Sequence, residues 1–326
     1  VRAWAALYRI DLGPARVLKR SPFEHVTDLT RCPVRNMTLS GACVLLLAST
    51  SFAQSVEQGT QPDLPILPEI GSAELKNYTM KAGSFTIKLE RSKDIGTVVK
   101  RAVSFPSPVQ KRWPTVHGTY FSPRNASATN RVPGAVIVHH LGGYKEEVQI
   151  AENLAKNGIA SVAIMLPNYG LRQEKGTPRG FLSSDPFGSF KNFEQAVKDV
   201  IRASDFLRSR SEVDPNRVGA LGISLGAIVS SIAKGVDPRL RQTVLILGGG
   251  DLLGLVTAFP QVKSILGDAG SITKMLRPLV MPIDPNTFAS RVNPGEVLMV
   301  NALNDEIVPR SSTDKLHVAF GSPQIH

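Results

Sequence analysis

Arg217-Val218-Gly219-Ala220-Leu221-Gly222-Ile223-Ser224-Leu225-Gly226 decides how the rest of this chain is read. Val218 to Leu221 is a short apolar run suited to a buried strand, and Ala227 to Ala233 reads as a helix. Between them the spacing Gly-x-Ser-x-Gly is that of a nucleophile elbow. A strand that reverses into a helix within a few residues holds its central residue in a strained conformation. The flanking chain then comes so close that the residues two before and two after must lack a bulky side chain. Ser224 is thereby lifted clear of the sheet at the head of a helix, whose first amides favour negative charge. With 27 Gly in 326 residues, such a pentapeptide arises by chance in roughly one chain in several, so its surroundings must decide.

Upstream, Gly134 to His139 is a buried strand, Glu146–Asn157 a helix stopped at Gly158, and Ala160–Leu166 another strand. A long helix over Phe190–Arg210 places Phe193, Ala196, Val197, Val200, Ile201, Ala203 and Phe206 near a 3.6-residue period. Downstream come strands at Gln242–Leu247 and Val297–Val300, a helix near Ser312–Ala319, and the start of a last strand at Pro323–Ile325. Alternating strands and helices with short loops predict an α/β fold, a mostly parallel sheet with helices on both faces. Before it, Tyr78–Arg91, Val98–Phe105 and Thr115–Phe121 alternate partially, as antiparallel N-terminal strands do. The apolar stretch 251–294 reads as a small helical cap insertion, part of which is open to being an ordinary crossover helix.

The first 53 residues read as an address. Arg31 and Arg35, an apolar run from Ala42 to Ala48, and Ser51-Phe52-Ala53 before Gln54 make 37–53 a signal peptide. The run is too short to span a bilayer, so no stable membrane association is expected. Residues 1–36 have no pattern of their own and read as an upstream extension, with Met37 as initiator. Export to a periplasm or the medium follows. Residues 54–75, rich in Pro, Gln and Glu, read as a linker within a 54–94 N-terminal region that also holds the first strands.

The formal net charge is +11. After residue 53 the 31 basic and 24 acidic side chains are interspersed without a basic run, which argues against a nucleic-acid partner. Both cysteines, Cys32 and Cys43, lie in the leading segment, so no disulfide or thiolate metal site is expected later. None of the six histidines stands in a metal-ligand pattern, and no cofactor is implied. Oligomeric state leaves no mark in the sequence.

A serine hydroxyl needs a base, a group that orients the base, and an oxyanion hole. His139-His140-Leu141-Gly142-Gly143 follows a buried strand and precedes a helix. Its glycines admit a close backbone, and the amides of Leu141 and Leu225 can converge on a substrate carbonyl oxygen. Asp305, just past the strand at Val297–Val300, is the acid candidate, with Asp251 as competitor because it also ends a strand. His140, Gly142, Gly143 and Tyr169, the last within Asn168-Tyr169-Gly170, are assigned to the substrate pocket.

Taken in order, the 139–143 turn, Gly222-Ile223-Ser224-Leu225-Gly226 and Asn304-Asp305-Glu306-Ile307-Val308-Pro309 resemble an α/β-hydrolase. The resemblance is to the branch of dienelactone hydrolases, acetyl xylan esterases and prolyl-oligopeptidase-like domains, over about residues 95–326. It implies a serine carboxylesterase for a small-molecule ester, working through an acyl-enzyme. The alternatives are an amidase or peptidase on the same scaffold, or a catalytically silent binding protein. The chain departs from that family at two points. His140 stands where Gly is usual, and the nucleophile is Ser, whereas dienelactone hydrolases proper use Cys. The family's catalytic histidine follows the final strand, so elimination leaves His326 as the base; the other reading is a chain cut short before that histidine.

Overall fold

The computed structural model describes residues 54–62, 72–109, 112–173, 180–182, 186–258 and 269–326. The expected signal peptide and upstream extension lie outside them. Among the described residues eleven strands form one sheet: β1 (Ser55–Gln61), β2 (Gly83–Leu89), β3 (Lys93–Ile95), β4 (Val98–Pro106), β5 (Thr115–Pro123), β6 (Val132–Val138), β7 (Ala160–Ile164), β8 (Val213–Ile223), β9 (Thr243–Ile246), β10 (Val297–Val300) and β11 (Gln324–Ile325). Their spatial order is β1-β2-β4-β5-β7-β6-β8-β9-β10-β11, with β3 beside β4. Pairing is antiparallel from β1 through β5 to β7. From β7 onward every pair is parallel.

Burial explains the division. β2 alternates buried and open residues, as a strand with one wet face must, whereas β7 is buried at all five positions. The linker reading of 54–75 needs correction, because Ser55–Gln61 is the edge strand β1, paired with Gly83–Leu89. The polar run Ser-Val-Glu-Gln-Gly-Thr-Gln hid it, since an edge strand buries little and shows no apolar alternation.

Six helices matter for the site: α1 (Lys145–Lys156), α2 (Pro186–Arg208), α3 (Leu225–Val236), α4 (Leu252–Ala258), α5 (Ala269–Val280) and α6 (Arg310–Ala319). α1 ends at Asn157-Gly158, where Gly158 takes φ +84, the left-handed turn that stops a helix. Helices cover both faces of the sheet. On β7 the Ser161 hydroxyl donates to Ala151 O of α1 at 2.7 Å, while Ala160, Val162 and Ile164 share a core with Ala196 and Val200 of α2. Period-two alternation puts these two sets on opposite faces. α3 is buried at every residue.

The described residues between β9 and β10 are largely helical, but not all of them stand apart as a cap. The turn Pro285–Arg291 packs so tightly on α3 that a Cβ on Gly235 would lie 2.4 Å from Phe288 Cβ. That portion is a crossover layer of the main body. The cap reading of 251–294 therefore narrows to α4 and α5, which pack on each other.

Candidate active site

Ser224 stands at the carboxyl end of β8 with φ +52 and ψ −112, a left-handed conformation for a residue bearing a side chain. It is held there from both sides. Its N–H donates to Ile246 O of β9 at 2.8 Å, and its carbonyl accepts from Ala227 at 2.9 Å and Ile228 at 3.1 Å in the first turn of α3. A Cβ on Gly222 would come 2.1 Å from Gly226 O, and one on Gly226 would come 2.1 Å from Val138 O and 2.9 Å from His139 O. Both glycines are therefore sterically required, and the second presses the elbow against the end of β6. The Leu225 N–H belongs to the first turn of α3, where amides have no acceptor within the helix.

The turn after β6 is locked by side chains from three places. His139 is fully buried, and its Nε2 lies 3.1 Å from Leu166 N–H, which can only donate. The proton of this neutral ring is thus on Nδ1, which donates to His140 O at 2.6 Å. Burial lowers the pKa of His139, in keeping with the neutral form. Glu147 of α1, also fully buried, accepts from His140 N at 3.1 Å and approaches His140 Nδ1 at 2.7 Å. Tyr169 donates its hydroxyl to Leu141 O at 2.8 Å and sets its ring edge-on to His139 at 4.6 Å. A peptide unit is planar, so pinning His140 O through His139 also fixes where the Leu141 N–H points. The aromatic ring of Tyr169 and the carboxylate of Glu147 brace the turn from beneath.

The sequence candidates separate in space. The structure brings together Ser224, Leu225 and the 139–143 turn, with Tyr169 tied to that turn. Asp305 follows β10 and is half-buried; its Oδ1 accepts from Ile307 N at 2.8 Å and Val308 N at 2.9 Å, capping its own turn. Asp251 caps α4 through Gly254 N at 3.1 Å and forms an ion pair with Lys315. His326 is bonded into the sheet, donating from N to Met299 O at 3.0 Å and accepting at O from Asn301 N at 2.9 Å. Its exposed ring meets Gln324 Nε2 at 2.8 Å. Among the described residues no hydrogen bond joins His326 to Ser224 or Asp305. β11 lies three strands from β8, a sideways separation of about 14 Å.

Of the other histidines, His317 approaches Pro323 O at 2.9 Å, and His117 lies on β5 beyond β7. Sequence reasoning missed Glu147. Its sequence signal, an acidic residue in the first turn of a helix, is what the helix dipole ordinarily favours, and nothing in it announces burial. Among the described residues no group of three His, Cys, Asp or Glu converges as a metal site. No helix among them is long and apolar enough to cross a membrane.

Comparison with known proteins identifies the family and the fold. The family model described as "Dienelactone hydrolase family" matches residues 116–325. In overall structure the chain is similar to an acetyl xylan esterase from Paenibacillus sp. R4 (TM-score 0.60, 21% identity, covering 82% of this chain and 89% of that one). A second similar structure is acetyl xylan esterase 1 from Thermoanaerobacterium sp. JW/SL YS485 (TM-score 0.59, 21% identity, 82% and 86%). At those identities the likeness speaks for the fold. In sequence, thiohydrolase aneE of Aspergillus aculeatus is 30% identical over 116 residues, 35% of this chain and 33% of that protein. The aligned part of the chain spans 56% or less of the length of such curated relatives.

Proposed function

This chain belongs to the dienelactone hydrolase family, and from that premise we propose that it hydrolyses carboxylic esters with Ser224 as nucleophile. One observation carries the reading. Ser224 is wedged in a left-handed conformation between Gly222 and Gly226, and the second glycine abuts the braced turn that carries Leu141. Strain of this kind costs on the order of 1–3 kcal/mol and persists only where the surroundings over-determine it.

In the proposed reaction Ser224 Oγ attacks the ester carbonyl and forms a tetrahedral intermediate. The N–H groups of Leu141 and Leu225 take its oxyanion, and each such donor supplies about 3 kcal/mol of transition-state stabilisation. An imidazole takes the serine proton and passes it to the leaving alcohol, Asp305 orients that imidazole, and water resolves the acyl-enzyme. His326, the base candidate left by elimination in the sequence, is held by its backbone about 14 Å sideways from β8, beyond the reach of an imidazole side chain, so no described histidine is assigned as the base. The substrate proposed is a small ester; the names of the structural neighbours suggest acetyl esters for the first trials.

The test is hydrolysis of p-nitrophenyl acetate and butyrate by the full chain and by Ser224→Ala. Undiminished activity in the variant overturns the proposal. That no histidine among the described residues is hydrogen-bonded to Ser224 favours one second reading, a hydrolase fold used for binding. A fluorophosphonate probe separates the two, since an adduct on Ser224 requires an activated hydroxyl. Export is proposed with the esterase reading, on the residue pattern at 37–53; a mature N-terminus other than Gln54 in the secreted protein would count against that cleavage site.

A further inference from the structure

His140 stands where related hydrolases usually carry Gly, and the proposed acyl transfer gives its ring no part. The ladder between β6 and β8 sets its place. That ladder ends at the pair Val138 and Gly222, and neighbouring strands lie about 4.8 Å apart. His140 and Ser224 each stand two residues past the pair, so the imidazole rises beside the end of the nucleophile's strand. The His140 carbonyl carbon is bonded to the nitrogen of Leu141, whose N–H is proposed for the oxyanion.

The ring is held from behind. Glu147 is fully buried, and its Oε1 meets both the His140 N–H at 3.1 Å and His140 Nδ1 at 2.7 Å. Its Oε2 has no hydrogen-bond partner among the described residues, so the carboxylate makes its bonds to His140 alone. A carboxylate oxygen only accepts. Nδ1 therefore carries the proton of the neutral ring, and Nε2 is left as a bare acceptor. The far edge of the ring lies over its own turn: a Cβ on Gly142 would come 2.5 Å from Nε2. Gly142 thus leaves the room that the imidazole occupies. The side chain is 34% exposed, and among the described residues nothing is hydrogen-bonded to Nε2.

An acceptor fixed in this way distinguishes ligands by whether they carry a donor. The amides of Leu141 and Leu225 are donors and suit a carbonyl oxygen. Nε2 offers the opposite polarity one residue away from the first of them. A substrate hydroxyl fits it, whereas the methyl ether of the same hydroxyl covers the nitrogen without pairing it.

We infer that His140, oriented by Glu147, is a specificity residue that accepts a hydrogen bond from a hydroxyl borne close to the ester, on its acyl or its alcohol side. The place of that ester at Ser224 rests on the esterase reading. Two pairs of compounds separate the sides: methyl glycolate against methyl methoxyacetate, and ethylene glycol monoacetate against its methyl ether. For the full wild-type chain kcat/KM is measured near pH 8.5, about two units above the ordinary imidazole value, and divided by each ester's rate with hydroxide.

The hydroxyl ester of at least one pair should be preferred by about tenfold. His140→Gly keeps the backbone N–H that Glu147 accepts, and should bring that ratio to about one. Gly142→Ala, which displaces the ring without removing it, should do the same. A merely structural role would slow both members of a pair alike and leave the ratio unmoved. Binding is read apart from turnover, by nitrogen NMR of the full chain carrying Ser224→Ala with labelled histidine. The Nε2 signal that disappears on adding His140→Gly is the reporter, and a hydroxyl ester should shift it where its ether does not. Hydrolysis without preference in either pair, or with a preference that survives His140→Gly, overturns the inference and leaves the esterase reading standing. If no ester is hydrolysed, that reading fails and the NMR shift decides. A response to a hydroxyl ester and not to its ether then upholds the acceptor, and no response overturns it.

Discussion

Ser224 is the residue at which strain and proposed chemistry coincide. Its φ of +52 suits glycine, so Ser224→Gly should be more stable than Ser224→Ala by about 1 kcal/mol, read as the difference between urea midpoints. Both should lose ester hydrolysis by roughly 10³-fold or more, as expected when a nucleophile is removed and only binding and the oxyanion amides remain. Gly226 has a different sensitivity. A methyl group there meets Val138 O, so Gly226→Ala should cost about 1–3 kcal/mol and impair activity by pushing the elbow off the 139–143 turn. Glu147 acts one step removed. Its Oε1 holds the His140 N–H and thereby the turn that carries the Leu141 amide. Glu147→Ala should lower kcat by about tenfold with little change in KM, and Glu147→Gln, whose amide oxygen still accepts, should recover most of it.

Among the elements, α2 ties the site to the body of the molecule. One side of this helix buries Ala196, Val197, Val200 and Phe206 in the core, while Gln195 and Asp199 reach toward the 112–113 segment and Arg172. The Arg172–Asp199 pair has almost no solvent contact, its side chains being 1% and 0% exposed. Burial raises the pKa of Asp199 in spite of the adjacent guanidinium, a sign that desolvation outweighs the attraction. Such a pair adds little net stability, but breaking it strands a buried charge. Asp199→Ala is expected to destabilise the fold by about 3–5 kcal/mol, and the double variant Asp199→Ala with Arg172→Met by clearly less, as denaturant unfolding would show.

At the scale of the whole molecule the buried histidines set a pH dependence. His139 and His117 both have pKa values lowered by burial. As pH falls through the unfolded value of about 6.5, the unfolded chain takes up protons that the folded one refuses. Stability is therefore unaffected by these rings above that pH, declines as pH falls toward the depressed folded values, and levels off beneath them. Each ring contributes a slope of at most about 1.4 kcal/mol per pH unit. Asp205 acts oppositely: burial raises its pKa to about 6, so the folded state binds its proton first and gains stability as pH falls below that value. The informative measurement is thus a difference. Below about pH 6.5, His139→Gln should show a shallower loss of stability than the wild type, and identical slopes would contradict the neutral ring inferred from Leu166 and His140.

What the sequence determined by itself is whatever depends on short-range pattern. The apolar runs of β6, β7 and β8, the period of α2, and glycines two residues either side of Ser224 each declare a local conformation, because sterics and periodicity act over a few residues. Those signals were enough for the parallel sheet, the helices on both its faces and the elbow. They failed for β1, whose polar residues pair at an edge with little burial, and for the segment before β10, where Phe288 docks onto Gly235 of α3, more than fifty positions earlier in the chain. Only the tertiary structure decided that His139 is a neutral brace, that Glu147 is buried beneath the 139–143 turn, and that Asp251 is spent on a helix cap and Lys315. It also set Ser224 and Leu225 against that turn while holding His326 three strands away. Partnership between side chains distant in sequence depends on how strands order themselves and where burial removes water, and neither is written in a local run of residues.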